Sequence, residues 1–265
     1  MTDLPYFHVD AFADRPFTGN QAAVMPLDGW LEDAVLQAIG EENNFAETAF
    51  YVPDLTGVAD FELRWFTPLV EIRLCGHATL ASGHVILSQN PDIDRVTFRT
   101  RKAGILEVNR NGTGYAVGLP AIPTQPVDLP EMMLAMGGKP LEMRRNADHY
   151  NLFRYETADE ILALTPDMQV LAQMGDDSFT ATAPGKESDI ISRVFVPGAG
   201  VNEDSVTGSA HAALTPYWAA ELGRDNFTAY QASTRGGYLE CRLDGDRAWL
   251  SGRCVTVVEG RFRIA

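Results

Sequence analysis

Gly76-His77-Ala78-Thr79-Leu80-Ala81 and Gly208-Ser209-Ala210-His211-Ala212-Ala213 read as one segment written twice, half the chain apart. A strand-like run ending in Phe-x-Pro precedes each copy, Phe61 to Pro68 in the first half and Arg193 to Pro197 in the second. An acidic residue follows each proline, Glu71 or the pair Glu203-Asp204, and then Cys75-Gly76 or Thr207-Gly208. Each glycine opens an alanine-rich apolar stretch of helical character. A repeat at this period predicts two similar lobes, each placing a helix N-terminus beside polar side chains. If the two N-termini meet at one cleft, their free N–H groups and dipoles suit a carboxylate.

The stretches from His77 to Leu87 and from Ala210 to Leu222 carry almost no charge until Glu221, with Gly223 as a natural stop. A helix apolar on most faces is buried on most faces. The surrounding sequence is rich in strands: Tyr6 to Phe12, Gln21 to Met25, Thr48 to Val52, Phe61 to Phe66, Arg95 to Arg99, Gly104 to Asn109 and Gly114 to Gly118. Asn151 to Tyr155, Phe179 to Ala183, Arg193 to Val196, Tyr238 to Leu243, Arg247 to Gly252 and Cys254 to Val258 continue the pattern. Curved sheets wrapped around the two apolar helices are the economical arrangement. Pro216 is expected to bend the second helix without breaking it. Two further helices are expected, Trp30 to Gly40 with Asp28 as N-cap and Gly40 as stop, and Thr165 to Met174. The four prolines of Pro120 to Pro130 mark the crossing between lobes. The division expected is 1–118 and 119–254, with residues from about 255 to 265 crossing back to the first lobe.

At 265 residues, 45% hydrophobic and 22% charged, the composition is that of an ordinary globular protein. A formal net charge of -15 argues against nucleic acid and anionic membranes as partners, and leaves room for a small anionic substrate in a locally positive pocket. No segment reaches the roughly 18 uninterrupted apolar residues of a membrane span. Met1 to Asp10 has no basic region followed by an apolar core, so a cytoplasmic location is expected. Cys75, Cys241 and Cys254, with His8, His77, His84, His149 and His211, form no ligand-spaced cluster, and no metal is expected.

Glu47 stands in Asn44-Phe45-Ala46-Glu47-Thr48, where apolar and polar residues alternate. Partial burial at the mouth of an apolar strand is a setting that suits a general base. The plain alternative is a solvated glutamate at a strand start. Asp204 precedes the second apolar helix and is either a site carboxylate or a loop-bracing, helix-capping acid. Ser209 donates to a ligand or to its own backbone. His77 holds the matching place in the first repeat, as a site residue or a satisfied structural one. No GxSxG elbow surrounds Ser209, which argues against a nucleophile.

Across nearly the whole chain the sequence resembles the PhzF-like phenazine-biosynthesis family, of diaminopimelate epimerase-like fold. The resemblance rests on Phe7-His8-Val9-Asp10-Ala11-Phe12, Phe17-Thr18-Gly19-Asn20, Asn44-Phe45-Ala46-Glu47-Thr48 and Arg64-Trp65-Phe66-Thr67-Pro68. It is strongest at Leu74 to Ala81 and Asp204 to His211, with Gln231-Ala232-Ser233-x-Arg235-Gly236-Gly237 near the end. It implies an α+β fold of two pseudo-symmetric lobes, each a strongly curved, barrel-like sheet around a central helix, with the active site between them. It also implies a homodimeric isomerase that needs neither metal nor organic cofactor.

Residue by residue, the resemblance puts Glu47 on the acid/base glutamate, and His77, Asp204 and Ser209 on surrounding site positions. Gly76 and Gly208 fall on the backbone anion donors. The family commonly has Asp-Pro where this chain has Asp204-Ser205. Fold relatives that epimerise amino acids use paired cysteines where this chain has Cys75 and Thr207. A threonine hydroxyl is too weakly acidic to replace a thiol, so proton transfer by a single carboxylate is expected. The leading expectation is an isomerase moving a proton within a small carboxylate-bearing metabolite. A non-catalytic binding or scaffolding protein is the alternative, and a lyase or hydrolase using Asp204 a third.

Overall fold

The computed structural model describes residues 2–264. In chain order the elements are β1 (Thr2–Ala11), β2 (Asn20–Pro26), α1 (Asp33–Asn43), β3 (Glu47–Pro53), β4 (Phe61–Phe66), β5 (Glu71–Ile72), α2 (Gly76–Gln89), β6 (Arg95–Thr100), β7 (Ile105–Asn111) and β8 (Gly114–Pro120). There follow β9 (Gln125–Pro126), α3 (Pro130–Met136), β10 (Glu142–Arg145), β11 (Tyr150–Arg154), α4 (Ala158–Ala163), α5 (Met168–Ala172), β12 (Ser178–Pro184), β13 (Ile190–Val196) and β14 (Val201–Asp204). The chain closes with α6 (Gly208–Leu222), β15 (Asn226–Gln231), β16 (Gly237–Asp244), β17 (Arg247–Gly252) and β18 (Cys254–Ile264). The fold class is α+β with mixed sheets. It divides into two compact units, Met1–Leu119 with Ser251–Ala265, and Pro120–Leu250. No helix among the described residues is long and apolar enough to cross a membrane.

In the first unit β18 and β2 flank β1 antiparallel, and β3 joins β2 in parallel. β4 then pairs antiparallel with β3, carries the short antiparallel β5, and takes β6 in parallel, with β7 and β8 continuing antiparallel. The second unit repeats this order and sense. β10, β11, β12, β13, β14, β15 and β16 stand where β1, β2, β3, β4, β5, β6 and β7 stand in the first. The duplication legible around the two glycines is therefore a duplication of topology.

The repeats match in side-chain detail. Arg64 on β4 forks onto Glu71, Nε to Oε1 and Nη2 to Oε2, both at 2.8 Å. Arg193 on β13 forks onto Glu203 in the same way, at 2.7 and 2.9 Å. Paired charge-assisted bonds of this kind fix geometry as well as adding energy, and each fork pins the short strand that leads into a central helix.

α2 is buried on every face from Gly76 to Gly83 and again from Val85 to Leu87. It packs against β1, β2, β3, β6, β7 and β18. Gly83 permits the closest approach, because a Cβ there would stand 2.4 Å from Val108 Cγ1. α6 is buried at Gly208, from Ala210 to Thr215 and from Tyr217 to Ala219, and packs on β11 and β16. It runs unbroken through Pro216. The proline deprives the Ala212 carbonyl of its helical donor, and the Ile122 N–H takes that place at 3.0 Å.

Several local expectations are corrected. α1 runs from Asp33 to Asn43 with Glu32 as N-cap, so Asp28 does not cap it and Gly40 does not end it. Asp33 is drawn to Arg64 Nη1 at 2.8 Å, and the left-handed Asn44 closes the helix at φ 49°. Gly40 is small for packing: its Cβ would meet Phe66 Cβ and Thr67 O at 3.2 Å. The helix expected over Thr165 to Met174 is only Met168–Ala172, because Asp167 Oδ1 accepts from the Gln169 and Val170 N–H groups and starts it there. Sequence reading missed α3 and α4, the latter opened by a capping box between Thr157 and Glu160. Within the proline-rich stretch, Gln125 and Pro126 pair with β10.

Candidate active site

α2 starts at Gly76 with the extended Cys75 as N-cap and no side-chain cap. α6 starts at Gly208 after the extended Thr207, again with no side-chain cap. The first N–H groups of a helix have no partner within it, so each start is a donor-rich end with a positive partial charge. Gly76, His77 and Glu47 belong to the first unit; Asp204, Gly208 and Ser209 belong to the second.

In the first unit the sheet brings Glu47, His77, Cys75 and Asn20 together. Glu47 is the first residue of β3 and Asn20 the first of β2. The β2–β3 register sets Glu47 opposite Ala22. His77 Nε2 lies 2.9 Å from Glu47 Oε2, with the His77 side chain 3% exposed and that of Glu47 15%. Oε2 is buried and has no hydrogen-bond donor other than the His77 ring. On the other side of the ring, Asn20 Nδ2 is 3.1 Å from Nδ1. Cys75 Sγ stands 3.6 Å from Nδ1 and 4.0 Å from Nε2.

Burial pushes the Cys75 thiol up to about 11, with the Glu47 charge adding to the rise. His77 is drawn two ways. Burial, the largest influence, opposes charge on the ring, while a Cys75 thiolate and Glu47 together would raise the group well above the ordinary imidazole value. At neutral pH the cysteine is a thiol, which leaves Glu47 alone to draw a proton to the ring.

Glu47, Cys75 and His77 hold ligand-capable atoms within 4.8 Å of one another. The sulfur nevertheless lies alongside the ring, nearer Nδ1 than Nε2, while the glutamate oxygen lies at Nε2. An ion bonded to Nε2 at about 2.0 Å would be well beyond the ~2.3 Å reach of a thiolate, so this arrangement does not fit a three-ligand site.

In the second unit Asp204 closes β14 and is held by its own loop. Its Oδ1 accepts from the Ser205 N–H at 2.9 Å and its Oδ2 from Thr207 Oγ1 at 2.6 Å. The N–H that Ser205 supplies is one a proline would lack, so the departure from Asp-Pro gives the carboxylate an extra donor. Gln231, at the end of β15, accepts from the Thr207 N–H at 2.8 Å and donates to the Asp204 carbonyl at 2.8 Å and to Thr207 Oγ1 at 3.1 Å. Thr207 is thus committed to orienting Asp204. Ser209 is the second residue of α6 and is partly exposed.

Asn20, Thr207 and Gln231 were not anticipated as working parts of these clusters. Asn20 and Gln231 lie in stretches that carry the family resemblance, but their partners are 57 and 24 residues away, at His77 and Thr207.

Residues 9–260 match the family model described as phenazine biosynthesis-like protein. An uncharacterised isomerase of Pseudomonas aeruginosa is 43% identical over 263 residues, covering 99% of this chain and 100% of that one. An uncharacterised isomerase of Halalkalibacterium halodurans is 40% identical over 268 residues, covering 99% of each. The crystal structure of a PhzF-family phenazine biosynthesis protein from Enterococcus faecalis superposes with a TM-score of 0.90 at 37% identity, over 99% of this chain and 100% of that one.

Proposed function

This chain belongs to the phenazine biosynthesis-like (PhzF-like) family, whose structural kin share the diaminopimelate epimerase-like fold, and on that footing we propose that it is a cofactor-independent isomerase working through one carboxylate. Glu47 takes a proton from a carbon of a small carboxylate-bearing metabolite and returns it to another carbon of the same molecule. The electron pair left by the C–H bond moves into an enolate-like system during the transfer and comes back when the new C–H bond forms. Nothing is oxidised or reduced. The observation that carries this reading is Glu47 Oε2, a buried carboxylate oxygen 2.9 Å from His77 Nε2 with no other donor. Such an oxygen keeps a lone pair available for an incoming proton.

His77 and Asp204 orient a hydroxyl or amine of the substrate in this mechanism. The substrate carboxylate is held by free N–H groups at the helix starts, those of Gly76 and His77 and those of Gly208 and Ser209. The absence of a side-chain cap on either helix supports that role. Developing negative charge beside such donors is stabilised without reorganisation.

The test is proton exchange. Candidate metabolites bearing a carboxylate are incubated with the protein in D2O and followed by NMR. Deuterium entering at carbon, and lost in Glu47→Gln, is the expected result. Full exchange by Glu47→Gln would overturn the assignment, and saturable binding without exchange would favour a non-catalytic binding protein.

A further inference from the structure

We propose that Asn20 is a positioning residue: its carboxamide holds His77 as the neutral tautomer protonated at Nε2, beside Glu47. Both residues are buried, Asn20 and His77 each 2% exposed as whole residues. The amide nitrogen faces the ring at 3.1 Å, and an amide N–H can be accepted there only by a bare Nδ1 lone pair. The ring proton then belongs on Nε2, the nitrogen 2.9 Å from Glu47 Oε2. A doubly protonated ring would set two N–H groups face to face at Asn20, in a place closed to water.

The groups that face the ring are few. Glu47 comes from β3, Cys75 from the start of α2 and Asn20 from β2. Cys75 carries no charge at neutral pH, and Glu47 alone draws a second proton toward the ring. Burial and the Asn20 donor both act against it. The chemical consequence is specific: a neutral ring puts no full positive charge beside the oxygen that must both accept and release a proton, yet offers a donor within reach. The partner of the far ring nitrogen thus selects the tautomer at the near one.

The inference rests on reading Glu47 and His77 as the proton-transfer pair, but its test needs no substrate. The protein is labelled with 15N-histidine, His77 is assigned by its absence in His77→Gln, and long-range 1H–15N correlations are recorded at neutral pH. The expected spectrum shows a bare Nδ1 and a protonated Nε2. In Asn20→Asp, nearly equal in size, the carboxylate accepts from Nδ1, so the bare-nitrogen signal is lost and the ring becomes doubly protonated. In Asn20→Ala the single tautomer gives way to exchange between two. A wild-type ring already doubly protonated, or protonated at Nδ1, overturns the inference, as does a tautomer unchanged in both variants. Should Asn20→Ala not fold, Asn20→Asp and the wild-type spectrum decide alone. Failure here leaves the deuterium-exchange result standing, and failure of exchange leaves the tautomer standing.

Discussion

The N–H of Ile122 donates at 3.0 Å to the carbonyl of Ala212, the one acceptor that Pro216 strips of its helical donor. The start of the proline-rich stretch is thereby fastened to a buried point of α6. Ile122→Pro removes the donor and is expected to cost about 1–3 kcal/mol, because Ala212 is fully buried and its carbonyl would be left unmet. In a Pro216→Ala background the helix supplies its own N–H, so the same substitution should cost less. A double-mutant cycle by urea unfolding measures the coupling, and strictly additive costs would show that Ile122 does not substitute for the missing helical bond.

Burial, the largest influence on His211, pushes it down to about 4, against the smaller pulls of the Thr207 carbonyl and Asp204. Its folded value lies below the ordinary 6.5, so between pH 6.5 and 4 the unfolded chain binds a proton that the native chain does not. The stability contributed is full above about pH 6.5, falls as the pH drops, and levels off near 4. The loss is on the order of 3 kcal/mol. His211→Gln should therefore show a shallower fall in urea midpoint between pH 7.5 and 4.5 than the wild type. His84, also lowered to about 4 by burial, keeps some slope in both proteins. Parallel profiles for wild type and His211→Gln would refute the assignment.

Thr207 holds Asp204 through a hydroxyl that also accepts from Gln231. Thr207→Val keeps the shape and removes both bonds, taking one donor from the Asp204 carboxylate and one acceptor from the Gln231 amide. The expected cost is about 1–3 kcal/mol, with Thr207→Ser losing less than about 1 kcal/mol. Thr207→Cys is expected to create no two-thiol epimerase, since Cys75, the other thiol such chemistry would need, is held at about 11 and is not a thiolate at neutral pH. Denaturation curves check the first pair of values; α-proton exchange on free amino acids checks the second.

The central helices were legible because two uncharged, glycine-opened, alanine-rich runs have few ways to be buried. Glu47 and His77 were nameable singly, yet nothing local pairs them: 30 residues separate two groups that the β2–β3 register and the α2 start bring to 2.9 Å. Gly40 misled because a glycine near a helix end usually marks a stop, and here packing on Phe66 required it. Thr157-x-x-Glu160 was a readable capping box, whose six-residue helix is too short for periodicity to register. Asn20 lay beyond local reading altogether, since its significance is the ring nitrogen it faces.

The pairing of β1 with β18 sets Thr2 opposite Ile264 and Ala11 opposite Cys254. Strands at the two extremes of the sequence are thus neighbours, while residues 120–250 make up the other unit. On a ribosome the consequence is one of order. A nascent chain that has reached Leu250 holds the whole of the second unit, while β1 still lacks its outer neighbour. At ~5–20 residues per second, the fourteen residues from 251 to 264 take about one to three seconds to add. During that interval the strand next to the one bearing Asn20 has an open flank. The unit that carries Glu47 and His77 is thus the first begun and the last finished.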